Sequence, residues 1–128
     1  EAVLDADLPF HKMGIAHLTC KLIAPTRELL MQTLDAIPNT ELFGLFRKAA
    51  ALGVGIELNG GALKCTPQEE NAILRPYRIA KECGCKFYCG SDAHQLTETE
   101  PGYAAIRQGI MILGLEETDK MSFLSGKV

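Results

Sequence analysis

A short apolar stretch that ends in two side chains of metal-binding type constrains this chain more than any other feature. Residues 86–90 read KFYCG, an aromatic-rich run that is typical of a buried strand. Asp92 and His94 follow it, and in an extended segment such residues point to the same side, with Cα atoms about 6–7 Å apart. A carboxylate beside an imidazole suits a divalent metal. An Asp92 that caps the next turn beside an exposed His94 would explain the same two residues.

The rest of the chain alternates strand and helix patterns. A capping box at residues 66–69 opens one helix, Pro76 predicts a kink or a break inside it, and Pro101 is typical of the first turn of another. Residues 97–100 read as a polar loop. The predicted strands are 13–18, 54–58 and 86–90, and the predicted helices are 26–37, 40–52, 67–83, 101–113 and 118–124.

This order predicts an α/β fold with parallel strands and covering helices. In such folds the active residues gather at the carboxyl ends of the strands. His17 ends the first predicted strand, the sequence NGG at residues 59–61 ends the second, and Asp92 and His94 end the third. This agreement strengthens the metal interpretation.

Composition limits the classes of function. The 128 residues suffice for one domain with a real core, so residues 1–128 are taken as a single domain. The net charge of −3 makes nucleic acid an unlikely main partner, and no run of 18 apolar residues predicts a membrane span. Five cysteines at irregular spacing do not indicate a secreted disulfide framework, so we interpret them as small buried apolar residues and expect a cytoplasmic protein.

Three segments resemble motifs of the PHP (polymerase and histidinol phosphatase) superfamily. The sequence GSDAH at residues 90–94 looks like the last motif of that superfamily and is the specific part of the match. The sequence GIAH at residues 14–17 resembles its preceding motif. The sequence ELNGGALK at residues 57–64 resembles the segment between them, which is usually closer to EINTSGLR. Order, spacing and alternating helices agree over most of the chain.

The resemblance implies part of a distorted (β/α)7 TIM-like barrel and a metal-dependent phosphoesterase. A cluster of two or three divalent metals would activate water, and mixed His/Asp sites accept zinc, manganese or iron. Carried over to this chain, His17, Asp92 and His94 are the metal ligands, with Asp92 and His94 catalytic. Lys64 and Asn59 are candidate contacts for a small phosphorylated substrate. A solvated Lys64, and an Asn59 that satisfies backbone groups of its loop, are the structural alternatives.

The departures from the superfamily concern its amino-terminal motifs. Its opening His-x-His, its second His and its metal-bridging Glu find no counterpart, since the remaining histidine, His11, has no His two residues later. A whole barrel also needs roughly twice this length. The chain therefore looks like the carboxyl-terminal half of a PHP domain. Three explanations are open: the chain, which begins at Glu1 without Met, is truncated; a second chain supplies the missing half; or the domain is degenerate. In each case we expect an open strand edge that favours self-association.

Three hypotheses about function follow. The first is a PHP-type phosphatase that hydrolyses a small phosphomonoester. The second is a noncatalytic half-domain with an interaction role. The third, a nuclease-type module attached to a polymerase, is disfavoured by the acidic charge.

Overall fold

The computed structural model describes residues 2–21 and 24–122 and shows an α/β fold built on a small parallel sheet. Its three strands are β1 (Gly14–Ile15), β2 (Gly55–Asn59) and β3 (Lys86–Gly90). Its four α-helices are α1 (Arg27–Ala36), α2 (Asn39–Leu52), α3 (Glu70–Glu82) and α4 (Leu96–Leu113). Short 3-10 segments cover Ala2–Asp5, Phe10–Lys12 and Glu117–Asp119.

The strands lie in the order β1-β2-β3, and both neighbouring pairs are parallel. The register pairs Gly14 with Gly55 and Asn59 with Gly90. The carboxyl ends of all three strands therefore meet at one edge of the sheet. Both strand pairs are parallel, and each crossover between them carries at least one helix. The prediction of an α/β fold with parallel strands is therefore confirmed.

The first strand is shorter than the predicted range 13–18. It ends after Ile15, and His17 adopts a left-handed backbone with φ of 56°. A strand cannot continue through that conformation, since extended residues need a negative φ. A turn at residues 18–19 follows.

The first two helices begin and end close to their predicted bounds. The Thr26 hydroxyl accepts a 3.1 Å hydrogen bond from the Leu29 backbone N–H, as an N-cap residue does. Gly53 ends α2 with φ of 76°, the left-handed conformation that glycine adopts most easily.

Helix α3 differs from its prediction in two ways. The Glu69 carboxylate accepts a 2.9 Å bond from the Thr66 backbone N–H, as the capping box predicts, but residues 67–69 form a turn and the helix begins at Glu70. Pro76 lies inside an unbroken helix, where it is buried. Of the predicted kink or break at Pro76, the break is therefore wrong, and the kink stays a prediction.

Helix α4 begins earlier than its prediction. Residues 97–100 are helical rather than a loop, and Pro101 lies inside the helix rather than in its first turn. The side chains of Gln95 and Glu98 form a reciprocal capping box with each other's backbone N–H groups, which fixes the start at Leu96. The far end matches its prediction, because α4 ends at Leu113.

The predicted helix over 118–124 is also wrong as far as it is described. Residues Glu117–Asp119 form a 3-10 turn, and Lys120 then pairs in parallel with Phe87 of β3. The Met121 backbone N–H donates a 2.7 Å bond to the Phe87 carbonyl, so tertiary pairing overrides a helix here. Residues 123–124 lie outside the described residues.

The core joins the sheet to the helices. Ile56 and Leu58 of β2 and Phe87 of β3 pack in one cluster with residues of all four helices, among them the fully buried Tyr77 of α3. Burial of these apolar side chains holds the carboxyl edge of the sheet in place. None of the helices in the described part of the chain combines the length and apolar character needed to cross a bilayer.

Candidate metal centre at the carboxyl edge of the sheet

Two residues at the carboxyl edge of the sheet have a left-handed backbone although neither is glycine. His17 follows β1 with φ of 56°, and Asp92 follows β3 with φ of 52°. Such a conformation costs about 1–3 kcal/mol and persists only when surrounding contacts impose it. Both strained residues are predicted ligands. The strained backbone and the predicted metal ligands therefore lie together at the carboxyl ends of the strands.

The three predicted ligands lie close together, with Asp92 in the middle. Nδ1 of His17 is 3.8 Å from Oδ2 of Asp92, and Nε2 of His94 is 3.9 Å from Oδ1. The two carboxylate oxygens thus face different imidazoles. The side chains of Asp92 and His17 are 37% and 33% exposed, whereas that of His94 is 84% exposed. Asp92 and His17 form a half-buried pair, and His94 lies at the rim.

Local hydrogen bonds shape the segment that carries Asp92 and His94. The Ser91 hydroxyl accepts a 3.4 Å bond from the Ala93 backbone N–H, so Ser91 shapes the turn. The His94 backbone N–H donates a 2.9 Å bond to Oε2 of Glu98 in the first turn of α4. The start of α4 therefore positions His94.

Glu57 is the buried carboxylate behind the site. It lies in the middle of β2, and its side chain packs so closely on Gly90 that a Cβ there would lie 2.0 Å from Oε1. Its Oε2 accepts a 2.8 Å bond from the His17 backbone N–H and a 3.4 Å bond from the Asn59 amide. Glu57 thus connects the ends of all three strands.

Asn59 is fully buried at the end of β2 and links the loop to His17. Its Oδ1 accepts a 3.0 Å bond from the Ala62 backbone N–H, and its Nδ2 lies 3.3 Å from Nδ1 of His17. Because Asn59 is 0% exposed, its amide serves contacts within the protein in this structure. The prediction that Asn59 binds substrate stays a prediction.

Cys20 adds a thiol to the same cluster. Its Sγ lies 3.4 Å from Nδ1 of His17 and donates to Oδ1 of Asn59 at 3.5 Å. Burial, together with the nearby carboxylates of Asp92 and Glu57, raises the pKa of the Cys20 thiol to about 11. Cys20 is therefore a neutral thiol near pH 7, which argues against a nucleophilic Cys/His pair.

The remaining candidates lie apart from this cluster. The Lys64 side chain is exposed and forms no hydrogen bond or ion pair with another described residue, while its carbonyl accepts a 2.7 Å bond from Arg27. His11 lies beside Gly53, at the amino end of β2 and so at the opposite edge of the sheet. The five cysteines, all predicted to be buried, are all free, but only Cys85 is buried. Cys89 is exposed, and the other three are partly exposed.

The donor set fits a divalent metal in kind and only partly in arrangement. Two imidazoles and a carboxylate are the ligands that zinc, manganese and iron share. The distances to Asp92 are close to those between ligands of one ion, which are roughly 3–4 Å apart for bonds of about 2 Å. Within residues 2–21 and 24–122, however, no three His, Cys, Asp or Glu side chains form a group that could hold a metal ion. The structure thus shows two donor pairs that share one carboxylate.

Glu57 and Cys20 belong to this cluster but were not among the site residues predicted from the sequence. Glu57 carried one signal, since it lies two residues before Asn59 in a strand and a buried carboxylate needs a partner. Cys20 carried none beyond its position three residues after His17. The Glu57 bond to His17 and the Cys20 contact with Asn59 depend on how β1 and β2 pair, which the sequence does not state.

One cavity of the structure lies away from the candidate metal centre. It has a volume of about 470 Å³ and runs along the outer edge of β3, between that strand, Ile110 of α4 and residues 115–121. Its lining includes Phe87 and Cys89 but none of the residues of the candidate metal centre.

Comparisons of this chain with protein-family models, with curated proteins and with solved structures found no match.

Proposed function

We propose that this chain is the carboxyl-terminal half of a PHP-type metal-dependent phosphoesterase that hydrolyses a small phosphomonoester. The observation that carries the proposal is the position of Asp92 between His17 and His94 at the carboxyl edge of a parallel sheet. Asp92 and His17 also have the strained backbone that is typical of functional sites.

His17, Asp92 and His94 would hold the metal in this proposal. A divalent ion bound here would supply Lewis-acid polarisation of the phosphoryl oxygens and lower the pKa of a water molecule. Asp92 has one oxygen toward each imidazole, so it is suited to orient that water as well as the ion. His94 is open to solvent and can approach the substrate side of the site.

Substrate recognition is assigned to the loop after β2. Lys64 has an ammonium group without an intramolecular partner among the described residues, and it would contact the substrate phosphate as a point charge. Asn59 is the second candidate, although its amide would first have to leave its present hydrogen bonds. We therefore give Lys64 the larger expected effect on substrate binding.

The proposed architecture is a part of a TIM-like barrel completed by an amino-terminal half. Consecutive parallel strands in sequential order, each followed by helices, are the repeating unit of such a barrel. β1 lies at one edge of the sheet, and no described strand pairs with its outer side. The missing half, or a second copy of the chain, would pair there and bring further ligands.

The test is hydrolysis of a panel of phosphomonoesters in the presence of Mn²⁺ or Zn²⁺. Asp92→Asn keeps the shape of the side chain and removes its charge, and we expect it to abolish any activity. Asp119→Asn, in the Glu117–Asp119 turn, is the matched control and should retain it. Activity that survives in Asp92→Asn would refute the proposal.

A noncatalytic half-domain with an interaction role is the second candidate. It is favoured by one observation, the absence of a three-donor group among residues 2–21 and 24–122. Folded chain that binds no metal and hydrolyses none of the panel would favour this role.

A further inference from the structure

We infer that the cavity beside β3 binds a small apolar molecule that carries a positively charged amine. Its volume of about 470 Å³ lies in the range of small-molecule pockets, which are lined mainly by apolar side chains with a few polar groups. None of its described lining residues belongs to the candidate metal centre. The inference therefore goes beyond the proposed function, and neither depends on the other.

Apolar side chains make up much of the cavity lining. Leu58 of β2 and Phe87 of β3 line the cavity and are otherwise buried, at 2% and 3% exposure. Ile110 of α4, Leu115 and Met121 add further apolar surface. Water in such a space finds few hydrogen-bond partners, so an apolar group that displaces it is favoured. This lining accounts for the apolar body of the ligand.

The charged residues of the lining come from one short segment, residues 116–120. The Glu117 carboxylate lies 3.0 Å from Nζ of Lys120, so these two charges offset each other. The carboxylates of Glu116 and Asp119 accept each other's backbone N–H groups in a capping box. Neither of them forms an ion pair with another described residue. The cavity rim therefore presents two carboxylates that have backbone hydrogen bonds but no cation beside them.

One further ammonium group binds this segment without lining the cavity. Nζ of Lys86 donates a 2.8 Å hydrogen bond to the Thr118 carbonyl, and the Lys86 side chain is exposed. Solvent and salt screen a charge at such a position. An amine at the rim would thus meet net negative charge, whereas a ligand carboxylate would meet groups of its own sign. The charge of the rim accounts for the amine of the ligand.

Three probes of nearly the same shape separate the two parts of the inference: phenylpropylamine, phenylpropanol and phenylpropionate. Each is titrated into the full chain, labelled with ¹³C at the methionine methyl groups, at about pH 7, where amines and carboxylates are ionised. Met121 lines the cavity, whereas Met31 of α1 does not and is the internal control. We expect the Met121 methyl signal to shift with the amine and the alcohol. The amine should bind about two- to fivefold more tightly than the alcohol, as a partly exposed ion pair allows, and the propionate should bind most weakly.

Two pairs of variants test the rim and the space. Glu116→Gln with Asp119→Asn keeps the acceptor oxygens of the capping box and removes both charges. It should abolish the preference for the amine and leave the affinity for the alcohol unchanged. Cys89 is exposed and lines the cavity, so Cys89→Phe adds a bulky group there and should weaken binding of all three probes. Cys89→Ser is the matched control and should bind them like the parent.

Salt gives a second check that needs no variant, because a higher ionic strength should narrow the difference between amine and propionate in the parent chain. A Met121 methyl that shifts with none of the probes, or equal affinities for amine and propionate, would overturn the inference. A preference for the amine that persists at high salt and in the doubly neutralised variant would overturn the role of the two carboxylates. A Met121 signal that moves with protein concentration alone would place a second copy of the chain in the cavity and overturn the inference as well.

Discussion

The backbone N–H of His17 donates a 2.8 Å hydrogen bond to Oε2 of Glu57, which lies 40 residues further along the chain. The bond joins the end of β1 to the buried middle of β2. It also holds His17 in its left-handed backbone, which local sequence does not favour. The position of the candidate ligand His17 thus depends on a carboxylate that belongs to another strand.

We expect Glu57→Ala to destabilise the fold by about 1–3 kcal/mol, because it leaves the His17 N–H and the Asn59 amide without their acceptor. Glu57→Gln keeps an acceptor oxygen at the same position and should cost less. Urea denaturation of the parent and both variants measures the difference. Equal stability of parent and Glu57→Ala would contradict the role given to Glu57.

Gly90 leaves the space that the Glu57 side chain fills. A Cβ at Gly90 would lie 2.0 Å from Oε1 of Glu57, so Gly90→Ala must displace that carboxylate. We expect a loss of about 1–3 kcal/mol, as for overpacked interiors. Gly44 is exposed inside α2, and a Cβ added there would meet no atom within 4 Å, so Gly44→Ala should stabilise by about 0.5–1 kcal/mol. Thermal denaturation of both variants should therefore show shifts of opposite sign.

A buried hydroxyl pair attaches the loop after His17 to α3. Oγ1 of Thr19 lies 3.2 Å from the Tyr77 hydroxyl, and burial raises the pKa of Tyr77 to about 12. Tyr77→Phe leaves the Thr19 hydroxyl buried without its partner, so we expect a loss of about 1–3 kcal/mol. In a double-mutant cycle with Thr19→Val, the second change should cost less than it does alone. Additive losses would show that the two hydroxyls do not interact.

The ion pair between Arg27 and Glu69 predicts a pH-dependent contribution to stability. The Arg27 guanidinium, 2.8 Å away, and then the Thr66 backbone N–H lower the pKa of Glu69 from 4.5 to about 2. A depressed carboxylate pKa stabilises the fold above pH 4.5, and the contribution is lost as pH falls toward about 2. The pair is partly exposed, so we expect a small effect that salt reduces.

The measurement is the urea midpoint of the parent and Glu69→Gln at about pH 7 and about pH 2. At about pH 7 the parent should be more stable than Glu69→Gln, and this difference in stability should disappear at about pH 2. Glu82→Gln, at an exposed position without an ion pair to another described residue, is the control and should show no such pattern. A difference between parent and Glu69→Gln that is independent of pH would contradict the ionic origin of the effect.

Much of the architecture could be predicted because the hydrophobic periodicity of each segment agrees with the residues that end it. The aromatic run of β3 has the predicted bounds, and α2 ends at Gly53, where a left-handed glycine ends many helices. The early end of β1 could not be predicted, because a left-handed histidine looks like any other histidine in a sequence. The start of α4 was missed since its N-cap is Gln95, which is not among the residues that usually cap helices.

Some residues of the candidate site could be predicted from the sequence, and others could not. Asp92 and His94 were suggested by spacing and by strand polarity, and the structure places Asp92 near both His17 and His94. The roles of Glu57 and Asn59 depend on the register that sets Asn59 beside Gly90 and on the bond across 40 residues to His17. Such long-range relationships follow from packing rather than from any local pattern. They also determine which polar atoms of the site are already used in hydrogen bonds within the protein.

Elemental analysis of the purified chain after exposure to zinc or manganese tests the proposed metal site at His17, Asp92 and His94. The comparison is a variant in which His17, Asp92 and His94 are all replaced by alanine, with folding of both checked by circular dichroism. We expect stoichiometric metal in the parent chain and none in the variant. A parent chain that folds and retains no metal, or a variant that retains as much as the parent, would contradict it.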